Sequence, residues 1–191
     1  MKIEMKNYFF ATVLVCSLSS AFSQGNIKKG DWMLGGNAGF TSQKYAGYKT
    51  TDFNLSPDAG YFFINNFAGG LRASVSSSKT EYQGDETKQS SYELAPFVRY
   101  YFLPASQKVN IFADASFGFG QHKYNYGTGY NKSNFTQLGI MAGPAIFITP
   151  ATALEIALGY NSSKVKDASD RTNQLGVSVG FQIHIPGTVK K

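Results

Sequence analysis

The chain is almost without cysteine. Its one thiol, Cys16, lies inside an apolar run near the start and follows Val15, where a lipid-anchored cysteine needs a small residue. Once the first 23 residues are removed, as argued below, neither a disulfide nor a thiolate metal site can form. Tryptophan occurs once, histidine twice, and only 16% of residues are charged. His122 and His184 fall near opposite ends of different alternating segments, so they cannot share a site, and no His, Asp or Glu cluster has metal-ligand spacing. No Gly-rich loop leads from a strand into a helix, which excludes the common nucleotide-binding motifs. Past residue 23 no apolar run is long enough for a spanning helix, and no stretch keeps a 3.6-residue apolar period. Lys and Arg outnumber Asp and Glu by 18 to 12, but they are scattered among turn residues without a patch or stripe, which argues against nucleic acid. No cofactor is expected.

What is present begins with an amino-terminal leader. Lys2 and Lys6 form a basic head, Tyr8 to Leu18 an apolar run, and Ala21 and Ser23 supply small residues before a cut after Ser23. Residues 1–23 therefore read as a secretory signal peptide, leaving 24–191 as one domain with 16 of the 18 basic and 11 of the 12 acidic residues. With 20 Gly, 13 Phe and 11 Tyr, that domain has an all-β composition.

Eight segments alternate with the two-residue period of a strand. They run over about 32–41, 52–63, 67–77, 92–102, 109–121, 134–148, 153–161 and 172–185. In the fourth, Tyr92, Leu94, Pro96, Val98, Tyr100 and Phe102 share one face, and Glu93, Ala95, Phe97, Arg99 and Tyr101 the other. The same division holds throughout: Asp58, Arg72, Glu93, Arg99, Asp114 and Glu155 all fall on the face shared with Gly and Ser, opposite a face of Leu, Ile, Val, Phe and Tyr. Connections alternate long and polar with short. A soluble ligand barrel would turn the apolar face inward. Here the charged face belongs inside a narrow lumen and the apolar face against lipid, where a midplane charge costs about 2 to 4 kcal/mol. The fold expected is all-β, an eight-stranded antiparallel up-and-down transmembrane β-barrel, with both chain ends on the periplasmic side. Pro57, Pro96 and Pro144 sit inside strands against the usual rule and read as local bends.

Asn54-Leu55-Ser56-Pro57 with Gly60-Tyr61-Phe62, the run Leu94 to Phe102, and Phe112 to Gly120 resemble the small outer-membrane β-barrels of Gram-negative bacteria, a porin-like group related in architecture to OmpA and OmpX barrels. The resemblance covers the domain nearly end to end and is specific for the barrel rather than for an activity. It implies an outer-membrane location and insertion by the barrel-assembly machinery. One departure is the end of the last strand, Phe181-Gln182-Ile183-His184-Ile185, where such barrels end on an aromatic assembly signal.

The expected role is structural or surface-interacting, through four extracellular loops above a lumen filled by side chains, in a monomer. A narrow porin-like channel is the alternative, and a lipid-modifying outer-membrane enzyme, with His122 beside Ser133 or Asp170, the third reading. The chain is not expected to be an enzyme: the carboxylates Glu93 and Glu155 point into a lumen too narrow for substrate and should accept hydrogen bonds from arginine. Asp58 should face Arg72 directly, since the turn centred on Asn65 makes them opposite, and Arg99, opposite Phe112, should reach Asp114 diagonally. Outside, Lys164, Lys166 and Arg171 are the expected contacts to lipopolysaccharide.

Overall fold

Alternation carries the chain through eight strands: β1 (Trp32–Tyr45), β2 (Tyr48–Ile64), β3 (Phe67–Tyr82), β4 (Asp85–Tyr101), β5 (Val109–Asn125), β6 (Tyr130–Thr149), β7 (Thr152–Val165) and β8 (Thr172–Ile185). The computed structural model describes residues 27–45, 47–83, 85–125 and 129–187; the signal-peptide reading of residues 1–23 lies outside them. Each strand pairs antiparallel with its neighbours in sequence, and β1 with β8 closes the barrel. This is the expected eight-stranded up-and-down topology. The lower end carries the short turns and both ends of the described chain; the upper end carries the four remaining hairpin tips.

Side chains sort by parity, with the expected faces. From Tyr92 to Tyr101 outward residues are exposed, while Ala95, Phe97, Arg99 and Tyr101 are buried in the lumen. Outward-facing apolar residues form a belt from Trp32 and Leu34 to Phe40 on β1 and from Ile183 up to Leu175 on β8. Aromatic pairs edge it: Trp32 meets Tyr61 at 5.1 Å, Tyr100 meets Phe102 at 5.0 Å, and higher up Phe117 meets Phe119 at 4.8 Å. Such a belt costs free energy in water and gains it in lipid.

Seven of the eight upper strand ends run beyond expectation. Stretches read as long loops, 42–51, 78–90 and 122–133, continue as paired strands, and β7 runs on to Val165, so that little more than tight tips remain at three of the four upper connections. The alternation signal fails there because neither face is apolar once the strands rise above the belt. Pairing is carried instead by cross-strand polar contacts. Thr50 Oγ1 lies 3.3 Å from Thr80 Oγ1, and Lys79 reaches across to Glu86 at 2.7 Å while also holding Glu81 of its own strand at 2.7 Å. These two hydrogen bonds raise the Lys79 pKa to about 12.

The prolines do not shift the register. Pro57, Pro96 and Pro144 keep partners on one side, Gly36, Leu71 and Ile111, while the opposite ladder skips the proline and one neighbour and resumes in step. A missing N–H thus opens a short gap in a single ladder.

Candidate functional site

The lower lumen is filled from the residues upward. Ile27, just before β1, is fully buried with Met33, Phe62, Phe97, Tyr101, Phe112 and Phe147. Its carbonyl accepts the Asn66 N–H, and Asp31 Oδ1 accepts the Gly187 N–H. Asn66 takes a left-handed φ of 67°, which suits the tight turn between β2 and β3. The described chain thereby lays its own leading segment across the lower mouth.

Above this aromatic floor lies a layer of ions. Asp58 and Arg72 are opposite in register, and Arg72 Nη2 lies 3.2 Å from Asp58 Oδ2. The same guanidinium forks onto Asp114, at 3.2 Å to Oδ1 and 3.0 Å to Oδ2. Arg99 donates from Nε to Asp114 at 3.1 Å and from Nη1 to Glu155 at 3.0 Å. All five side chains are buried. Two guanidiniums against three carboxylates leave one formal negative charge in excess, which makes the hydrogen-bonding partners decisive.

The register of Arg99 corrects the sequence-based expectation. Arg99 stands directly opposite Asp114, and Tyr101 takes the place opposite Phe112. The cause is Asn110, a fully buried side chain that accepts the Leu103 N–H at 2.9 Å and donates to the Leu103 carbonyl at 2.8 Å, standing in for a backbone rung and resetting the turn. Glu93 is the second correction. It lies higher and takes its hydrogen bond from Gln137 Nε2, at 3.2 Å, rather than from an arginine.

Three members of the layer escaped the sequence. Gln182 bridges it, donating to Asp58 at 3.1 Å and accepting from Arg99 at 3.4 Å. Tyr101 donates its hydroxyl to Glu155 at 3.1 Å and lies 3.3 Å from His184 Nε2. His184 is fully buried, and its Nδ1 has no partner. All three share the inward parity of the charged residues, and that was the available signal.

His122 stands opposite Ser133 in register, as expected, but its ring bonds another serine. Its Nδ1 lies 2.6 Å from Ser91 Oγ and its ring stacks on Phe135 at 4.1 Å, whereas Asp170 bonds the Ser169 hydroxyl. Among the described residues no carboxylate holds the imidazole, so the hydroxyl–imidazole pair lacks the group that orients a catalytic base. No group of three or more His, Cys, Asp or Glu that could hold a metal occurs among the described residues.

On the outer face, Lys164 and Lys166 line one groove of about 780 Å³ with Tyr92, Leu94, Phe119 and Thr136. Lys164 stands opposite Thr136 at the top of the belt. Arg171 lies apart from this groove. Its guanidinium donates to the Ser162 hydroxyl at 2.8 Å and to the Ser162 carbonyl at 2.6 Å.

Comparison with known proteins agrees with this architecture. Neisserial surface protein A shares 20% identity, with a TM-score of 0.56 over 81% of this chain and 97% of its own. Ail, the attachment invasion locus protein of Yersinia pestis, shares 18% identity with a TM-score of 0.48, covering 82% of this chain and 99% of its own. OprG of Pseudomonas aeruginosa shares 13% identity with a TM-score of 0.45, covering 87% and 100%. No curated protein matches the chain. The family model described as the outer membrane protein beta-barrel domain matches residues 9–182. With the apolar belt outside and the ion layer within, the chain belongs to that family of bacterial outer-membrane barrels.

Proposed function

We propose that the protein is a closed structural barrel whose upper outer rim binds lipopolysaccharide. The carrying observation is the groove that sets Lys164 and Lys166 beside Tyr92, Leu94 and Phe119. Ammonium groups above an apolar wall match an amphiphile with anionic phosphates on an acylated base. The lysines attract the phosphates over roughly a Debye length, about 8 Å at physiological salt, and the rings cover the upper acyl carbons. Arg171 adds charge to the same end of the barrel without entering the groove.

The ion layer and aromatic floor speak against conduction. An eight-stranded interior is just wide enough for side chains to fill it, and at the floor and the ion layer they do. The hairpin tips face outward from the cell and both chain ends face the periplasm; the leader is removed after Ser23, and the barrel-assembly machinery inserts a monomer. The role is one of support and surface contact rather than catalysis.

Lipopolysaccharide binding to refolded protein tests this reading. Replacing Lys164 and Lys166 together by Ala should weaken binding and flatten its salt dependence. Unchanged affinity with an unchanged salt slope would dismiss the rim as the site. Planar-bilayer recording of the same preparation should be silent.

A further inference from the structure

The barrel is closed over only part of its height at the junction of its first and last strands. β1 and β8 pair from Trp32↔Ile185 to Asn37↔Gly180 and no further, although β1 continues to Tyr45 and β8 begins at Thr172. Each of the two strands stays fully paired on its other side, β1 with β2 up to Tyr45↔Tyr48 and β8 with β7 up to Ser163↔Thr172. Two facing edges, 38–45 and 172–179, are therefore left without each other.

Burial agrees with the register. Residues 40–45 and 172–177 are exposed on both their inward and outward faces, and a Cβ placed on inward-facing Gly176 meets nothing within 4 Å. The unpaired edges begin inside the apolar belt. Their outward residues there are Ala38, Phe40, Leu175, Val177 and Val179, with Leu175 and Val177 exposed by 68% and 72%. The inward residues are Gly39, Thr41, Gln43 and Tyr45 on one edge and Thr172, Gln174, Gly176 and Ser178 on the other, none charged, with the paired Asn37 just below.

Unpaired backbone at membrane depth is tolerated only where protein covers it or where it lines a watery cavity. Above the ion layer the inward residues Thr41, Gln43, Gln174 and Gly176 are exposed, so water reaches the unpaired edges from the upper mouth. A space of about 10 Å³, lined by Asn37, Ser178 and Gly180 together with Asp58, Arg72 and Glu155, marks where the seam meets the layer; it has room for about one water. Nothing entering from the side can pass the layer to the lower end, so the seam joins the upper lumen to the outer leaflet alone.

We propose that this seam is a lateral binding site for an uncharged amphiphile of the outer leaflet. The tail lies along the outer side of the apolar lips formed by Phe40, Leu175 and Val177, and the polar atoms next to the head meet the unpaired backbone groups of the edges. The head enters the lumen, where Asn37, Gln174 and Ser178 offer donors and acceptors and none of the inward residues on the two unpaired edges is charged. A strand of another protein is the competing occupant, because edges also pair with edges. The lips decide against it, since a strand would satisfy the backbone but leave the head-binding amides unused. The site is distinct from the lysine groove, which runs over β4 to β7 and shares no residue with the seam.

The single tryptophan, Trp32, makes the test direct. In a Trp32→Phe background, Gly176→Trp places an indole inside the seam and Val177→Trp places one on the lipid side. Both proteins are refolded into bilayers whose acyl tails carry bromine, a contact quencher. Emission from position 177 should be lost as the lipid-facing control, and emission from position 176 should be lost as well. Adding the pair Ala38→Cys and Val179→Cys, which continues the register, and oxidising it should restore emission at 176 alone, with reduction reversing the gain. In plain bilayers, a tail-brominated monoacylglycerol should quench position 176 at lower concentration than a tail-brominated fatty acid. If position 176 stays bright in brominated bilayers while aqueous acrylamide quenches it, water or a protein strand fills the seam and the lipid site is refuted. If it is quenched equally with the cysteines oxidised, or if the fatty acid wins, the seam or the neutral head is refuted respectively.

Discussion

Removing Arg99 should open the ion layer, and the geometry sets how far. The guanidinium is 2% exposed. It donates to Asp114 at 3.1 Å, to both Glu155 oxygens at 3.0 and 3.1 Å and to Gln182 at 3.4 Å, and it lies 4.6 Å from the Phe112 ring centroid. In Arg99→Ala, Asp114 keeps Arg72, and Asp58 keeps Arg72 and Gln182, but Glu155 keeps only the Tyr101 hydroxyl. Three buried carboxylates then face one guanidinium. Breaking a buried pair from one side costs about 3 to 5 kcal/mol, because the surviving charge is uncompensated. The loss should therefore be recoverable without restoring the arginine: Glu155→Gln in the same background removes the stranded charge and should return more than half of it. Equilibrium urea unfolding in lipid vesicles, followed by the electrophoretic shift between folded and unfolded barrel, reads both numbers. Conductance across a planar bilayer reads the accompanying leak. An Arg99→Ala protein within about 1 kcal/mol of the parent, the range of an exposed pair, or a double variant no better than the single one, would refute the ion-layer argument.

Other consequences are as direct. Gly143→Ala should abolish the folded electrophoretic band, because the added Cβ would collide with the Ile156 carbonyl and approach Ala157 Cα to 2.9 Å, both backbone, whereas Gly176→Ala should match the parent. Asn110→Ala should lower the urea midpoint, since it removes the acceptor of the Leu103 N–H and one of the two side-chain donors to the Leu103 carbonyl, Asn66 being the other; with a part-buried N–H left unpaired, the loss is about 1 to 3 kcal/mol. At the β3–β4 tip, the hydrogen bond from Lys79 holds the Glu81 carboxyl below its usual value, and Lys79 sits at about 12. A lowered carboxyl pKa stabilises above the unfolded value and is lost as pH falls through the folded one, while a raised lysine pKa stabilises until pH passes about 12. Amide-exchange protection there, corrected for the intrinsic rate, should be flat from pH 6 to 9, on the order of the range between these titrations, and should fall on acidification below Glu81's ordinary range. Protection that changed across neutral pH would overturn the assignment.

The division of side chains between lumen and lipid was legible because a strand's period leaves no freedom: once Leu94 faces out, Arg99 faces in. Opposition of Asp58 and Arg72 came out as counted, but through a two-residue turn, Asn65-Asn66, whose offset a bulge at Phe63 cancels. The next hairpin shows the limit of such counting, since Asn110 replaces a backbone partner with a side chain, and nothing in the spacing marks one Asn as structural. The upper strand extensions were hidden for another reason. Thr50, Thr80 and Lys79 pair through polar contacts that carry no apolar period. Gln182 and His184 stood on the right face but far from the other members in sequence, and only closure of the barrel brings β8 against β7 and β1. The unzipped seam has no sequence signature, because both of its edges alternate like any paired strand.

The placement of Ile27 makes the start of the barrel chain a cork rather than a tail. Its buried side chain and the Asp31 clasp on Gly187 tie both ends of the described chain to the lower mouth. A protease that trims only a few residues at that end would uncork the aromatic floor without touching a strand, leaving the ion layer as the sole barrier. A fusion partner joined directly before Ile27 would have to leave through the same crowded mouth, so a spacer there decides whether a tagged barrel is sealed.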